Sequence, residues 1–336
     1  MNAYTAEQVG IGVGDGLAAM TRLLEGIVFP AIGFAGEAED GTAITLTGLD
    51  QVVTTDVFAV DPLEFPGGDI GRLAVSGVVN DLAASGARAR YLTVGLLLSA
   101  ELRRDVLERV LRSLQAEATE VGCAVICGDT KVHQYSQPLL TMTVTAIGTP
   151  YSTDRFRLSA TRPGDLIGIT GALGAHSIAV LSAREGLGFE HVVHSDVNCL
   201  LTPFESTASR ARLRSLRDLT RGGLVAGLWD GARDTGLRWH VERASIAVDE
   251  PVEAACALLG LDPLALTNEG VMLFTAEPQE ADTVVALLQE HKTTTGARII
   301  GRVEDSPVGA EVTIALPGGR VDHVVYPEAL GVPRLC

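Results

Sequence analysis

The stretch TTDVFAVDPLEFPGGDIGRLAVSGVVNDLAASGARARYLTVG, residues 54–95, reads as strand, glycine-and-acid turn, helix and strand in one passage. Its start continues Thr-, Val- and Ile-rich material from residue 43, which runs to residue 60 and is bounded by Asp61-Pro62, a β pattern closed by turn formers. From Ile70 to Ala84 the apolar and small residues Leu73, Ala74, Gly77, Val78 and Leu82 recur at helical spacing. Residues 91–98 are again apolar and strand-like. Outward from this core, residues 102–121 predict a charged amphipathic helix, and residues 124–126 and 139–147 two further strands. The polar, basic stretch 149–164, punctuated by proline and glycine, reads as a linker. Beyond it a second block predicts strands at 166–169, 270–274 and 312–315 and helices at 176–184, 223–235 and 279–291. The expected fold class is therefore α/β (α+β) in two domains, 1–150 and 151–326, followed by a short tail, 327–336, that ends in Cys336.

With 336 residues, 46% of them hydrophobic, and 37 glycines, the chain can bury a large core without disulfide or metal staples. A net charge of −16 argues against nucleic acid and anionic membrane surfaces, which demand a basic face. No apolar run approaches the ~20 residues of a membrane span, and the first ten residues lack a signal-peptide pattern, so the expected location is cytoplasmic. The cysteines, Cys123, Cys127, Cys199, Cys256 and Cys336, form no CxxC pair; neither zinc nor a disulfide framework is indicated, and the first four are expected to be buried. Read by itself, the terminal thiol is either a carrier arm or an accident of where the chain stops.

Chemistry concentrates in the first half, in the runs Thr54-Thr55-Asp56, Phe65-Pro66-Gly67-Gly68-Asp69-Ile70-Gly71, Asn80-Asp81 and Cys127-Gly128-Asp129-Thr130-Lys131. Read as loops, they offer backbone N–H groups to phosphate oxygens and hard carboxylate ligands to Mg²⁺. Each aspartate alone is equally a turn or helix cap. No GxxxxGK[ST] run exists, which excludes a P-loop. Of 26 basic residues only Lys131 and Lys292 are lysine, which singles out Lys131 as a compact ammonium beside a phosphate. Farther on, Arg217-Asp218-Leu219-Thr220-Arg221-Gly222-Gly223 opens a helix and places Arg221 where an anion could sit. Thr267-Asn268-Glu269-Gly270 sets a carboxylate at a turn, either a general base or a plain turn residue.

The run 54–95, together with ICGDTKV (126–132), HSIAVLSAREGLGFE (176–190), RDLTRGG (217–223), LGLDPLALTNEG (259–270) and the terminal PRLC (333–336), resembles the HypE family of hydrogenase maturation factors. That family belongs to the PurM-like superfamily of aminoimidazole ribonucleotide synthetase. The resemblance implies a PurM-like fold, a homodimer formed through the first domain, and ATP with Mg²⁺ in the cleft between domains. It further implies carbamoyl transfer from HypF to Cys336, ATP-driven dehydration of the thiocarbamate to a thiocyanate, and delivery of cyanide to a HypC–HypD complex for a [NiFe]-hydrogenase. The site residues it implies are Cys336 as carrier, Lys131 as phosphoryl-stabilising cation and Glu269 as base. ATP contacts are implied at Asp56, Gly67, Gly68, Asp69, Asn80, Asp81, Gly128, Asp129, Thr130 and Arg221, with Asp56, Asp81 and Asp129 on the metal.

This chain departs from the family pattern in places. Gly12-Val13-Gly14-Asp15-Gly16 stands where a His-Gly-x-Gly-Gly stretch is usual, Leu219 replaces a proline, Val271 a basic residue and Leu335 an isoleucine. Two other readings stay in view: a paralogue making a cyano or nitrile group for another pathway, and a synthetase or phosphotransferase of the same superfamily with an idle tail.

Overall fold

In the computed structural model the described residues are 42–46, 49–153 and 155–326, with side chains described from residue 50. The expectations on Gly12–Gly16, Leu335 and Cys336 lie outside them.

Five strands form the first sheet: β1 (Thr42–Leu46), β2 (Leu49–Phe58), β5 (Ala87–Ser99), β6 (Ala124–His133) and β7 (Leu140–Pro150), in the order β1-β2-β7-β5-β6. A two-stranded ribbon, β3 (Glu64–Phe65) and β4 (Gly68–Asp69), leads into helix α1 (Ile70–Ala84). Helix α2 (Arg104–Glu120) connects β5 to β6, which pair in parallel as a crossover requires. Alternation along the strands directs one face of the sheet to α1 and α2: Val52, Thr54 and Phe58 of β2 and Met142, Val144 and Ala146 of β7 are buried there. Phe58 packs so tightly on α1 that a Cβ at Gly77 would come within 2.8 Å of its ring. The opposite face is open, with Val57, Tyr91 and Leu97 at 65%, 50% and 42% exposure.

The second sheet holds seven strands in the order β14-β13-β10-β12-β8-β11-β9. They are β8 (Leu166–Ile169), β9 (Leu213–Asp218), β10 (Arg238–Glu242), β11 (Met272–Ala276), β12 (Arg298–Glu304), β13 (Glu311–Ala315) and β14 (Val321–His323). Around it lie α3 (Ala175–Glu185), α4 (Leu201–Ala208), α5 (Gly223–Thr235), α6 (Glu250–Leu259) and α7 (Pro278–Gln289). Buried hydrophobics from α1 and from β9, β11 and α7 belong to one continuous core, so the two sheets are packed through shared apolar contacts. No described helix is long and apolar enough to cross a membrane.

Two expectations are corrected here. The segment Cys127–Lys131 is not a loop but the middle of β6, paired residue for residue with Thr93 to Leu97. Cys127 is exposed in that strand, whereas Cys123 and Cys256 are buried and Cys199 half-buried. Val271, where the family has a basic residue, is 4% exposed and belongs to a hydrophobic core cluster with Leu219, Leu264 and Leu273.

Candidate active site

Asp56 and Asp81 are brought together by strand parity and helix placement. Asp56 sits on β2 on the side facing α1, and Asp81 lies in the last turn of α1, so neither is on a loop. Thr54 Oγ1 donates to Asp81 Oδ2 at 2.9 Å, and Asp81 in turn hydrogen-bonds Asp56. Burial and the nearby Asp218 push the Asp56 carboxyl above the ordinary range, while the Asp81 bond and Arg221 pull the other way. Two carboxyls in contact with a third nearby share protons or welcome a cation.

Glu269 enters from the other side. It is 8% exposed, and burial followed by the charges of Asp196, Asp218 and Asp56 drives its proton affinity well up. The turn carrying it is pinned by Asn268, whose Nδ2 donates to the carbonyls of Leu219 at 3.1 Å and Leu266 at 2.9 Å and whose Oδ1 accepts from Gly174 N at 2.7 Å. Arg221, exposed at the mouth of α5, follows Asp218 by three residues and precedes Gly222 and Gly223, both at positive φ (79° and 54°). Gly223 is obligatory for a further reason: a Cβ would lie 2.4 Å from the Leu266 carbonyl oxygen.

Other predicted members are elsewhere. Asp69 caps α1, its Oδ1 accepting from Gly71 N at 2.7 Å and Arg72 N at 3.0 Å. Twelve residues separate it from Asp81, about 18 Å along the axis. Gly67 and Gly68 serve packing: a Cβ at Gly67 would meet Ser195 N at 2.7 Å, and one at Gly68 would meet Val197 Cγ1 at 2.7 Å. The Asn80 amide is spent on main chain, donating to Asn198 O at 2.9 Å and Glu269 O at 3.3 Å and accepting from Leu200 N at 2.7 Å. Gly128 lets β6 approach β5, since a Cβ there would lie 2.3 Å from Val94 O. Thr130, its neighbour but one, shares the helix-side parity of Gly128.

Asp129 and Lys131 pair with Gly95 and Leu97 and therefore project from the open face, opposite to Asp56. They sit three strands from Asp56 in sheet order, about 14 Å across the ladder. Their mutual ion pair is long, 3.6 Å, and both side chains are 75% exposed. The expected set of Asp56, Asp81 and Asp129 is thus not assembled within one chain, and no cluster of three or more His, Cys, Asp or Glu poised for a metal occurs among the described residues. Two acids that the sequence reading passed over do belong to the site: Asp218, inside the RDLTRGG run, and Asp196, which no motif flagged.

Comparison with known proteins agrees with this architecture. Residues 38–149 match the family described as AIR synthase related protein, N-terminal domain, and residues 162–313 its C-terminal domain. The chain is 36% identical over 335 residues to the carbamoyl dehydratase HypE of Rhizobium leguminosarum bv. viciae, covering 98% of this chain and 95% of that one. Among solved structures it is similar to a HypE–HypF complex (TM-score 0.84, 34% identity, 91% of this chain and 99% of that chain). A HypE in complex with ATP superimposes with TM-score 0.82 at 35% identity, over 95% of this chain and 97% of that chain. A buried carboxylate turn facing an aspartate pair across two AIR synthase-type layers, matched over nearly its whole length, places the chain in the HypE family of carbamoyl dehydratases, enzymes of hydrogenase maturation.

Proposed function

We propose that the chain dehydrates an S-carbamoyl group on Cys336 to a thiocyanate at the expense of ATP, supplying cyanide for the iron centre of a [NiFe]-hydrogenase. The observation that carries the reading is Glu269: a carboxylate buried in a cleft of acids, held on a rigid turn, is a proton acceptor kept out of water. Hydroxide leaves poorly and phosphate well, so ATP phosphorylates the carbamoyl oxygen before the C–O bond breaks. Glu269 removes the N–H protons as C≡N forms and phosphate departs; the balance is thiocarbamate and ATP to thiocyanate, ADP, phosphate and a proton. The Asp56–Asp81 pair suits a divalent cation, whose positive charge would offset the burial and the nearby Asp218 that disfavour ionised Asp56. Mg²⁺ supplies charge neutralisation on the transferring phosphoryl group. Arg221 stands where it can pair with a phosphate.

Lys131 and Asp129 join this site only from a second copy of the chain. β6 is a sheet edge, and no strand among the described residues pairs with residues 54–58 of β2 on the side away from β7. A two-fold dimer that lays β6 of one copy beside that length of β2 would close two edges at once and move Lys131 from three strands away to the strand next to the far copy's Asp56. HypF is the proposed carbamoyl donor and a HypC–HypD complex the proposed acceptor. Incubating the protein with HypF, carbamoyl phosphate and ATP, then weighing the C-terminal peptide, tests the reading. The expected result is the mass change of S–H to S–C≡N on Cys336, lost in Cys336→Ala; an adduct on Cys123, Cys127, Cys199 or Cys256 instead, or none with active HypF, refutes it.

A further inference from the structure

Residues 195–200, outside any helix or strand, form a strap that touches both α1 and the Glu269 turn, and one of them has a role the dehydration scheme leaves unused. Asp196 Oδ2 accepts hydrogen bonds from Glu269 N at 3.2 Å and Gly270 N at 3.1 Å. The strap's main chain closes on the same turn, because a Cβ at position 270 would lie 1.9 Å from the Asp196 carbonyl oxygen and 3.3 Å from Asn198 N. On the other side of the turn, the Glu269 carbonyl accepts from Asn80, whose amide also holds Asn198 and Leu200 of the strap. Glu269 is thus fixed at its N–H by the strap and at its carbonyl by α1, one residue before Asp81. The strap itself is seated independently: Ser195 N donates to Pro66 O at 2.8 Å, and Arg72 Nη2 donates to Asn198 Oδ1 at 2.7 Å.

Asp196 Oδ1 is buried without a hydrogen bond of good geometry, only the main-chain N–H groups of His176 and of Asp196 itself lying near the carboxyl. Such a group costs stability, and the site retains it where its remaining oxygen grips the two N–H groups that orient the Glu269 side chain.

We propose that Asp196 is the positioning residue of the Glu269 base, locking the main chain of the Asn268–Gly270 turn so that the Glu269 carboxylate faces Asp56 and Asp218. The proposal rests on the reading of Glu269 as base. A displacement of about 1 Å at a reacting group costs on the order of 100-fold in rate. In single-turnover dehydration of the carbamoylated chain, each variant at its own optimal pH, Asp196→Ala is expected to be about 10- to 100-fold slow with ATP affinity within about twofold of native. Asp196→Asn keeps an acceptor oxygen for the same two N–H groups and is expected to recover to within about threefold. Hydrogen exchange of the peptide spanning residues 268–270 is expected to quicken in Asp196→Ala and not in Asp196→Asn.

A native rate in Asp196→Ala, or a loss of rate matched by loss of ATP affinity, overturns the assignment. Should the alanine variant not fold, Asp196→Asn decides alone, a tenfold or greater loss there being fatal. Glu269→Gln separates the two ideas. If it turns over normally, the base reading falls and this assignment with it; if it is inactive while Asp196→Ala is fast, only the positioning role falls.

Discussion

Glu269 holds its proton more tightly than a free carboxylate because burial, and then Asp196, Asp218 and Asp56, disfavour a further negative charge. A base works deprotonated, so the dehydration rate is expected to climb with pH along a limb that lies above the ordinary carboxylate range. In Glu269→Gln that limb disappears along with the activity, while Cys336 still accepts the carbamoyl group; a pH–rate profile by single turnover checks both, and a normal rate in the variant refutes the role. Asp196 permits a stability test of definite sign. Burial raises its carboxyl from 3.8 to about 6, partly offset by the bonds from Gly270 and Glu269. The folded state therefore keeps a proton the unfolded chain has lost: stability is full below pH 3.8 and is lost as pH rises through about 6. Over that interval the loss amounts to roughly 2–3 kcal/mol, at 1.36 kcal/mol per unit. Asp196→Asn removes the titration, so its melting temperature relative to native is expected to rise between acid and neutral pH; a pH-independent difference contradicts the assignment.

The turn and helix made by residues 65–84 combine packing and capping in a way that looks, from sequence, like a phosphate loop. Asp69→Ala is expected to cost about 1 kcal/mol in urea unfolding, the ordinary value of an N-cap, with ATP affinity unchanged. Gly67→Ala must both adopt φ +94° and push into Ser195, so a loss of about 1–3 kcal/mol is expected, again read by urea. Loss of ATP affinity without loss of stability in either variant would support the phosphate-loop reading instead. The element itself was legible: helical spacing over residues 70–84 coincides with α1, and residues 223–235 coincide with α5, because amphipathic spacing and flanking glycines are local signals. Of β6 only residues 124–126 read as strand; its middle did not, since Gly128, Asp129 and Thr130 have turn chemistry and only pairing with β5 makes them extended. Reading residues 127–131 as a loop hides the parity that sends Asp129 and Lys131 to the open face. Asp196 escaped notice because an isolated aspartate in a featureless stretch acquires meaning only from the turn it meets across the fold.

For the whole molecule, the strongest consequence of the strand order concerns which chain supplies Lys131. Within one copy Lys131 sits three strands from Asp56, about 14 Å across the ladder, whereas β6 of a second copy laid beside β2 would bring it to the adjacent strand. Val57, Tyr91 and Leu97 are exposed on the face that carries Lys131, and an apolar interface of that kind resists salt. The protein is therefore expected to be a dimer by light scattering at micromolar concentration in both low and high salt, and a monomer would refute the shared site. Lys131→Ala and Glu269→Gln are each expected to abolish dehydration while leaving carbamoyl loading on Cys336 intact. Mixed and allowed to exchange subunits at equal concentration, the two inactive proteins distinguish the geometries. If Lys131 serves the other copy's Glu269, half the dimers are hybrids, and each hybrid has one site carrying both defects and one site carrying neither, so about a quarter of native activity returns. If Lys131 and Glu269 act within one chain, every chain carries a defect in its own site and no activity returns. Native mass spectrometry of the mixture verifies that hybrids have formed, so that an inactive mixture counts against the shared site and not against the exchange.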